Sequence, residues 1–148
     1  QGSQLRTILF GTKVDRALET IPQTAQAALF TVAGGRVLLT SLVGEVTTAI
    51  GAVATTLAIT GNPTTGTDVV IGTATAITSK EAGSLIGLAA TVGTALNVQN
   101  AGAGALPTSG TVVPIGTIDW VTSASTTGAI KWSLTYIPLD DGASVVAA

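Results

Sequence analysis

Residues 129–137 (Ala-Ile-Lys-Trp-Ser-Leu-Thr-Tyr-Ile) alternate without a break, and no other segment constrains the fold as tightly. Ile130, Trp132, Leu134 and Tyr136 share one parity; Lys131, Ser133 and Thr135 share the other. A period of two places the first set on one face of an extended strand and the second set on the opposite face, which no helix can do. The run before it, Ile115–Thr122, is also β-prone, and Ser123–Gly128 between them reads as a turn. If Ala124 pairs with Gly128, Trp120 falls opposite Trp132 and Ile118 opposite Leu134. Asp119 is then diagonal to Lys131, within reach of an ion pair. Other registers remain open.

The same pattern extends backward. Ala28–Ala33 and Arg36–Val43 flank Gly34-Gly35, a hairpin signal because type I′ turns need positive φ at both central residues. A two-residue loop sets Val32 opposite Val37 and Phe30 opposite Leu39 on a core-facing side. Ala52–Thr60 and Asp68–Ile77 are separated by Gly61-Asn62-Pro63-Thr64-Thr65-Gly66, a dense run of turn residues. Thr78–Gly83 reads as a tight turn or a single helical turn. Leu85–Val98 reads as one or two strands bent at Gly87 and Gly93, and Gln99–Gly110 as a low-complexity surface loop. Roughly seven to nine strands with turn signals about every 8–12 residues suggest an all-β fold, an antiparallel β-sandwich or barrel, jelly-roll-like. The chain divides into an extended N-terminal arm, residues 1–26, and a single β domain, residues 27–148. Within the arm, Thr12–Glu19 has the charge density of a solvated segment, with a helical turn or two ending before Pro22, or with order acquired only on a partner, as alternatives.

Charge excludes several function classes. Charged residues make up 9% of the 148 residues, against about 25% in an ordinary soluble domain. Six Lys and Arg residues, scattered from Arg6 to Lys131, do not form the basic footprint that nucleic acid demands. Residues 82–118 and 46–67 carry no charge, but Asn97, Gln99, Asn100, Pro107 and Pro114 break the first and Asn62 and Pro63 the second. Neither run suits a helix in lipid, so no membrane partner is expected.

The chain has no His and no Cys, which removes the usual general base, zinc ligands and activated nucleophiles. None of its Lys residues follows a Gly as a phosphate loop requires. Asp140-Asp141-Gly142 offers hard oxygen ligands that calcium accepts, but the calcium-loop motif is absent and a turn after Pro138 accounts for the residues. The expectation is a protein that is not an enzyme and carries no cofactor. Residues suited to subunit contact are Arg36 and Glu45 as ion-pair partners, Trp120 and Trp132 as an aromatic pair closing a core or an interface, and Lys13 and Arg16 in the arm.

Several phrases together carry a resemblance: Gly34-Gly35-Arg36-Val37-Leu38-Leu39-Thr40 running into Leu42-Val43-Gly44-Glu45-Val46-Thr47-Thr48, then Asn62-Pro63-Thr64-Thr65-Gly66, Gly116-Thr117-Ile118, residues 128–136, and Pro138-Leu139-Asp140-Asp141-Gly142-Ala143. Over most of residues 25–148 the chain resembles small virion proteins of tailed bacteriophages, particularly head decoration (cement) proteins. The resemblance implies a homotrimer on the capsid surface of the virion, with the major capsid protein as partner and residues 1–26 lying on that protein or on a neighbouring copy. It brings no catalytic residues. Other virion roles, in the tail or a head fibre, and a carbohydrate-binding β-sandwich with exposed aromatics stand as alternatives.

Overall fold

The computed structural model describes residues 4–5, 9–89, 91–105 and 110–148. Its strands are β1 (Thr12–Thr20), β2 (Gln26–Ala33), β3 (Val37–Thr48), β4 (Thr56–Pro63), β5 (Val69–Ala76), β6 (Leu85–Gly87), β7 (Thr94–Ala95), β8 (Asn97–Gln99), β9 (Thr111–Val113), β10 (Gly116–Thr122), β11 (Ala129–Pro138) and β12 (Ser144–Ala147). They form two six-stranded sheets, not a closed barrel. Sheet A runs β1-β11-β3-β6-β8, with β9 also on β3; sheet B runs β12-β2-β10-β4-β5-β7. β3 is long enough for its two halves to take different partners, β9 against Val37–Leu39 and β6 against Val43–Glu45. All pairings are antiparallel except the short β5–β7 contact. The fold is an all-β sandwich.

The alternation in β11 holds: Ile130, Trp132, Leu134 and Tyr136 are buried while Lys131 is exposed. The core forms between the sheets from these residues and from Phe30, Val32, Leu39, Leu57, Ile59 and Ile118. Each such side chain taken from water contributes about 1.5–3 kcal/mol. At the centre, Trp120 of β10 meets Trp132 of β11 edge-on, with ring centroids 5.9 Å apart and planes at 89°, an arrangement the ring quadrupoles favour.

Both hairpins expected from the sequence are replaced by crossings between sheets. β2 lies in sheet B and β3 in sheet A, so Val32 pairs with Gly116 and Val145, and Val37 with Val113 and Pro138. Gly34 and Gly35 do take positive φ, +79° and +153°, but they serve a close approach. A Cβ on Gly34 would lie 2.3 Å from the Gly142 carbonyl oxygen, and one on Gly35 2.6 Å from Cβ of Asp140. Val32, Val37, Phe30 and Leu39 all reach the core nonetheless, because burial follows the parity of a strand and not its partner. Likewise β10 and β11 lie in opposite sheets, so the Trp pair meets through the core and Asp119 does not pair with Lys131. Lys131 pairs instead with Glu45, directly across from it on β3.

The β4–β5 connection is a true hairpin; of the turn run Gly61–Gly66, the first three residues extend β4 and Thr64-Thr65-Gly66 make the bend. A second correction concerns the arm. Residues 12–20 are neither helical nor free in solvent; they form β1, the edge of sheet A, paired with β11 from Thr12↔Tyr136 to Thr20↔Ala129. Val14 and Arg16 fall opposite Leu134 and Trp132 and so face inward, and Val14 packs on the core. Of the loop expected at 99–110, Gln99 ends β8 and residues 100–105 are exposed; residues 106–109 lie outside the described residues.

Candidate interaction surface

The side chains singled out for subunit contact do not converge. Trp120 and Trp132 are 0% and 1% exposed, which removes both from any surface; they close the core. Lys13 and Glu45 lie on the outer face of sheet A, and both are engaged. Lys13 Nζ is 3.2 Å from Asp15 Oδ1, and Lys131 Nζ is 3.3 Å from Glu45 Oε2. Ser133, between them on β11, donates to Asp15 Oδ1 at 2.7 Å. That hydrogen bond, with Lys13 and Lys131 nearby, holds the Asp15 carboxyl below its ordinary value.

Arg16 faces inward from the edge strand, and its guanidinium bridges the open side of the sandwich. Nη1 donates to the Leu29 carbonyl at 2.8 Å and to the Ala148 carbonyl at 2.6 Å, while Glu19 holds the other side of the fork. An inward charge on an edge strand also discourages unwanted strand pairing. Arg36 sits at one end of the sandwich. Its backbone N–H, Nε and Nη2 donate to the Asp140 carboxylate at 2.8, 3.0 and 2.9 Å. This grip lowers the Asp140 carboxyl to about 2. The Asp140-Asp141-Gly142 turn therefore gives its first carboxylate to Arg36, and both of that carboxylate's oxygens are engaged. Among the described residues no three or more His, Cys, Asp or Glu side chains converge as metal ligands, and no helix is long and apolar enough to cross a membrane.

The feature that charge-based reasoning missed lies at the same end. A groove of about 160 Å³ is walled by Val69 and Ile71 of β5, Val92, Val112 of β9, Pro114 and the Gly61–Pro63 end of β4. Among the described residues no charged side chain lines it. Val69, Val92 and Val112 are 55%, 45% and 55% exposed. Pro114 also borders a second, shallower depression with Ile115, Thr64, Thr65 and the Arg36–Asp140 pair. The wall is fixed by the backbone, since Thr64 N–H donates to the Ile115 carbonyl at 2.9 Å. The sequence does hold a signal for it. In Val112-Val113 and in Val70-Ile71 an alternating strand buries one of two neighbours: Val113 and Ile71 go inward, leaving Val112 and Val70 in water. Val69 shares the parity of Ile71 but is exposed at the start of β5, where the register against β4 slips.

An apolar strip of this kind, rimmed by hydroxyls and one ion pair, is the usual surface of a protein contact. Comparison with family models, with curated proteins and with solved structures finds no match in any of the three.

Proposed function

We propose that the protein is a structural virion subunit, a decoration (cement) protein that binds the outer surface of a phage head as a homotrimer and braces the major capsid protein. The observation that carries this reading is the separation of charge from apolar surface. The ion pairs Lys13–Asp15 and Lys131–Glu45 occupy the outer face of sheet A, while among the described residues no charged side chain lines the groove around Val69, Val92 and Val112. A partner seated in that groove covers no charged lining residue, so the contact avoids most of the desolvation penalty of buried charge. The rigid sandwich and the lack of His and Cys suit a passive brace better than catalysis. A shell repeats one site many times, and an oligomer matching its local symmetry gains from effective concentration at every copy.

A tail or head-fibre subunit would use the same surface. The carbohydrate-binding alternative is less well supported. Of the five aromatic residues only Phe10 is exposed, so no stacking platform faces solvent. The test is native mass measurement together with co-sedimentation on shells assembled from a major capsid protein of a tailed phage. Oligomers that bind saturably, and a Val112→Asp variant that folds but fails to bind, are expected. A strict monomer with no affinity for such shells overturns the proposal.

A further inference from the structure

Asp119 occupies the middle of β10, a strand in the interior of sheet B, between two residues that point into the core, Ile118 and Trp120. Its own side chain therefore lies on the sheet's outer face, where a carboxylate is ordinarily hydrated. Here it is 3% exposed. The register against β2 slips between Ile118↔Phe30 and Asp119↔Ala28, a bulge of the sort that re-aims a side chain. Oδ2 accepts from Gln26 Nε2 of β2 at 2.7 Å and from Asn62 Nδ2 of β4 at 3.1 Å. Oδ1 is fully buried and has no hydrogen-bond partner among the described residues. None of the ion pairs among those residues involves Asp119. A second carboxylate approaches the same point: Gln26 Nε2 also lies 3.3 Å from Oδ2 of Asp68, which is exposed in the β4–β5 turn.

A buried carboxylate with one idle oxygen, no cationic partner and a second acid beside it is costly as it stands. We infer that Asp119, Asp68, Gln26 and Asn62 form a binding site for a hard divalent cation, calcium by ligand type. The two carboxamides are nearly symmetrical in shape, and turning each over presents an oxygen where its NH₂ now points. The two carboxamides that hydrogen-bond Asp119 then supply two amide oxygens, and Asp119 and Asp68 supply two carboxylates. That all-oxygen set, with a divalent charge to balance the two acids, matches calcium, and water completes the shell on the open Asp68 side. Magnesium, with its stricter octahedral geometry, fits side chains from three strands and a turn less well. Ligation ties β2, β4, β10 and the β4–β5 turn together. Asn62 also lines the apolar groove, so the ion braces one wall of that groove whichever partner the groove takes.

The experiment is thermal unfolding of the full chain after chelator treatment, titrated with calcium chloride and compared with magnesium chloride and sodium chloride at equal ionic strength. Calcium is expected to raise the melting temperature saturably, by roughly 5–10 °C at about a hundredfold excess over its dissociation constant, with magnesium weaker and sodium inert. Asp119→Asn should abolish the response. Asp68→Asn, at an exposed turn position, should weaken calcium binding about tenfold or more by calorimetry, which keeps the test open if the Asp119 variant does not fold. Asp141→Asn should leave the response unchanged. Absence of any saturable calcium effect, or an effect that persists undiminished in Asp68→Asn, overturns the inference.

Discussion

Gly44 of β3 sits directly opposite Trp132 in the β3–β11 ladder. A Cβ placed there would lie 2.8 Å from Cζ3 and 2.9 Å from Cε3 and Cη2 of the indole. These are closer than carbon atoms tolerate, and the obstacle is a rigid ring. Trp132 is 1% exposed and its ring is held edge-on against Trp120. It cannot swing aside without disturbing the centre of the core. Gly44→Ala should therefore behave as an overpacking substitution, costing about 1–3 kcal/mol and lowering the melting temperature by roughly 3–10 °C.

The same geometry predicts its own rescue. Cζ3, Cε3 and Cη2 belong to the six-membered ring fused in tryptophan, and phenylalanine at position 132 withdraws bulk from that position. Trp132→Phe alone opens space and should cost less than the about 3–5 kcal/mol of a full truncation to Ala. It forfeits no hydrogen bond, because Trp132 Nε1 has no partner among the described residues. The Gly44→Ala, Trp132→Phe double variant should be more stable than the sum of the two losses implies, by about 1 kcal/mol or more. Chemical denaturation of the four proteins measures the cycle, and near-ultraviolet circular dichroism reports the Trp pair. A Gly44→Ala variant within about 0.5 kcal/mol of wild type, or strictly additive losses, would refute the claim that this glycine exists to seat the ring.

Three further outcomes are expected. Arg16→Ala leaves the Ala148 carbonyl without its guanidinium donor and the Leu29 carbonyl with the Ala148 N–H alone and should cost about 1–3 kcal/mol, with faster amide hydrogen exchange concentrated in β1 and β12. Arg36→Ala removes the guanidinium donors from Asp140, whose carboxyl is lowered to about 2 in the folded protein, and leaves it only the backbone N–H of residue 36. A depressed carboxyl contributes stability above its unfolded value of about 4 and loses it as pH falls toward 2. The small melting difference between wild type and Arg36→Ala should therefore be constant at neutral pH and vanish between about pH 4 and 2. Val69→Asp and Val112→Asp, at half-exposed positions of the groove, should leave the melting temperature within a few degrees of wild type but abolish whatever assembly native mass measurement detects.

The faces of the strands were legible in the sequence; their partners were not. Parity is a local property, so Ile130, Trp132, Leu134 and Tyr136 announce a buried face wherever β11 lies. Pairing depends on which sheet the chain enters next, and here successive strands commonly change sheets, β2 to β3 and β10 to β11 among them. Gly34-Gly35 carries the composition of a hairpin turn because the same freedom of φ serves a crossing that must let the Gly142 carbonyl approach. β1 was hidden by its charge. Lys13 and Asp15 stay in water on the outer face, while Val14 touches the core and Arg16 finds carbonyls at the sandwich edge. An edge strand satisfies both demands with hardly any apolar residues, so its period-two pattern was weak.

The candidate contact residues do not converge on one surface for a related reason. They were chosen for charge or aromatic character, yet in a chain with few charges those groups find each other locally. Lys13 meets Asp15, Arg16 meets Glu19, Arg36 meets Asp140 and Lys131 meets Glu45. A partner that covers the outer face of sheet A must strip or bridge two satisfied ion pairs, each worth little where it stands but costly to dehydrate. A partner that covers Val69, Val92 and Val112 removes apolar surface from water and, among the described residues, covers no charged lining side chain. At about 25 cal/mol for each Å² of apolar surface, that burial offsets the cost of association without a charge to dehydrate, so the contact is favoured where the sequence placed no charge.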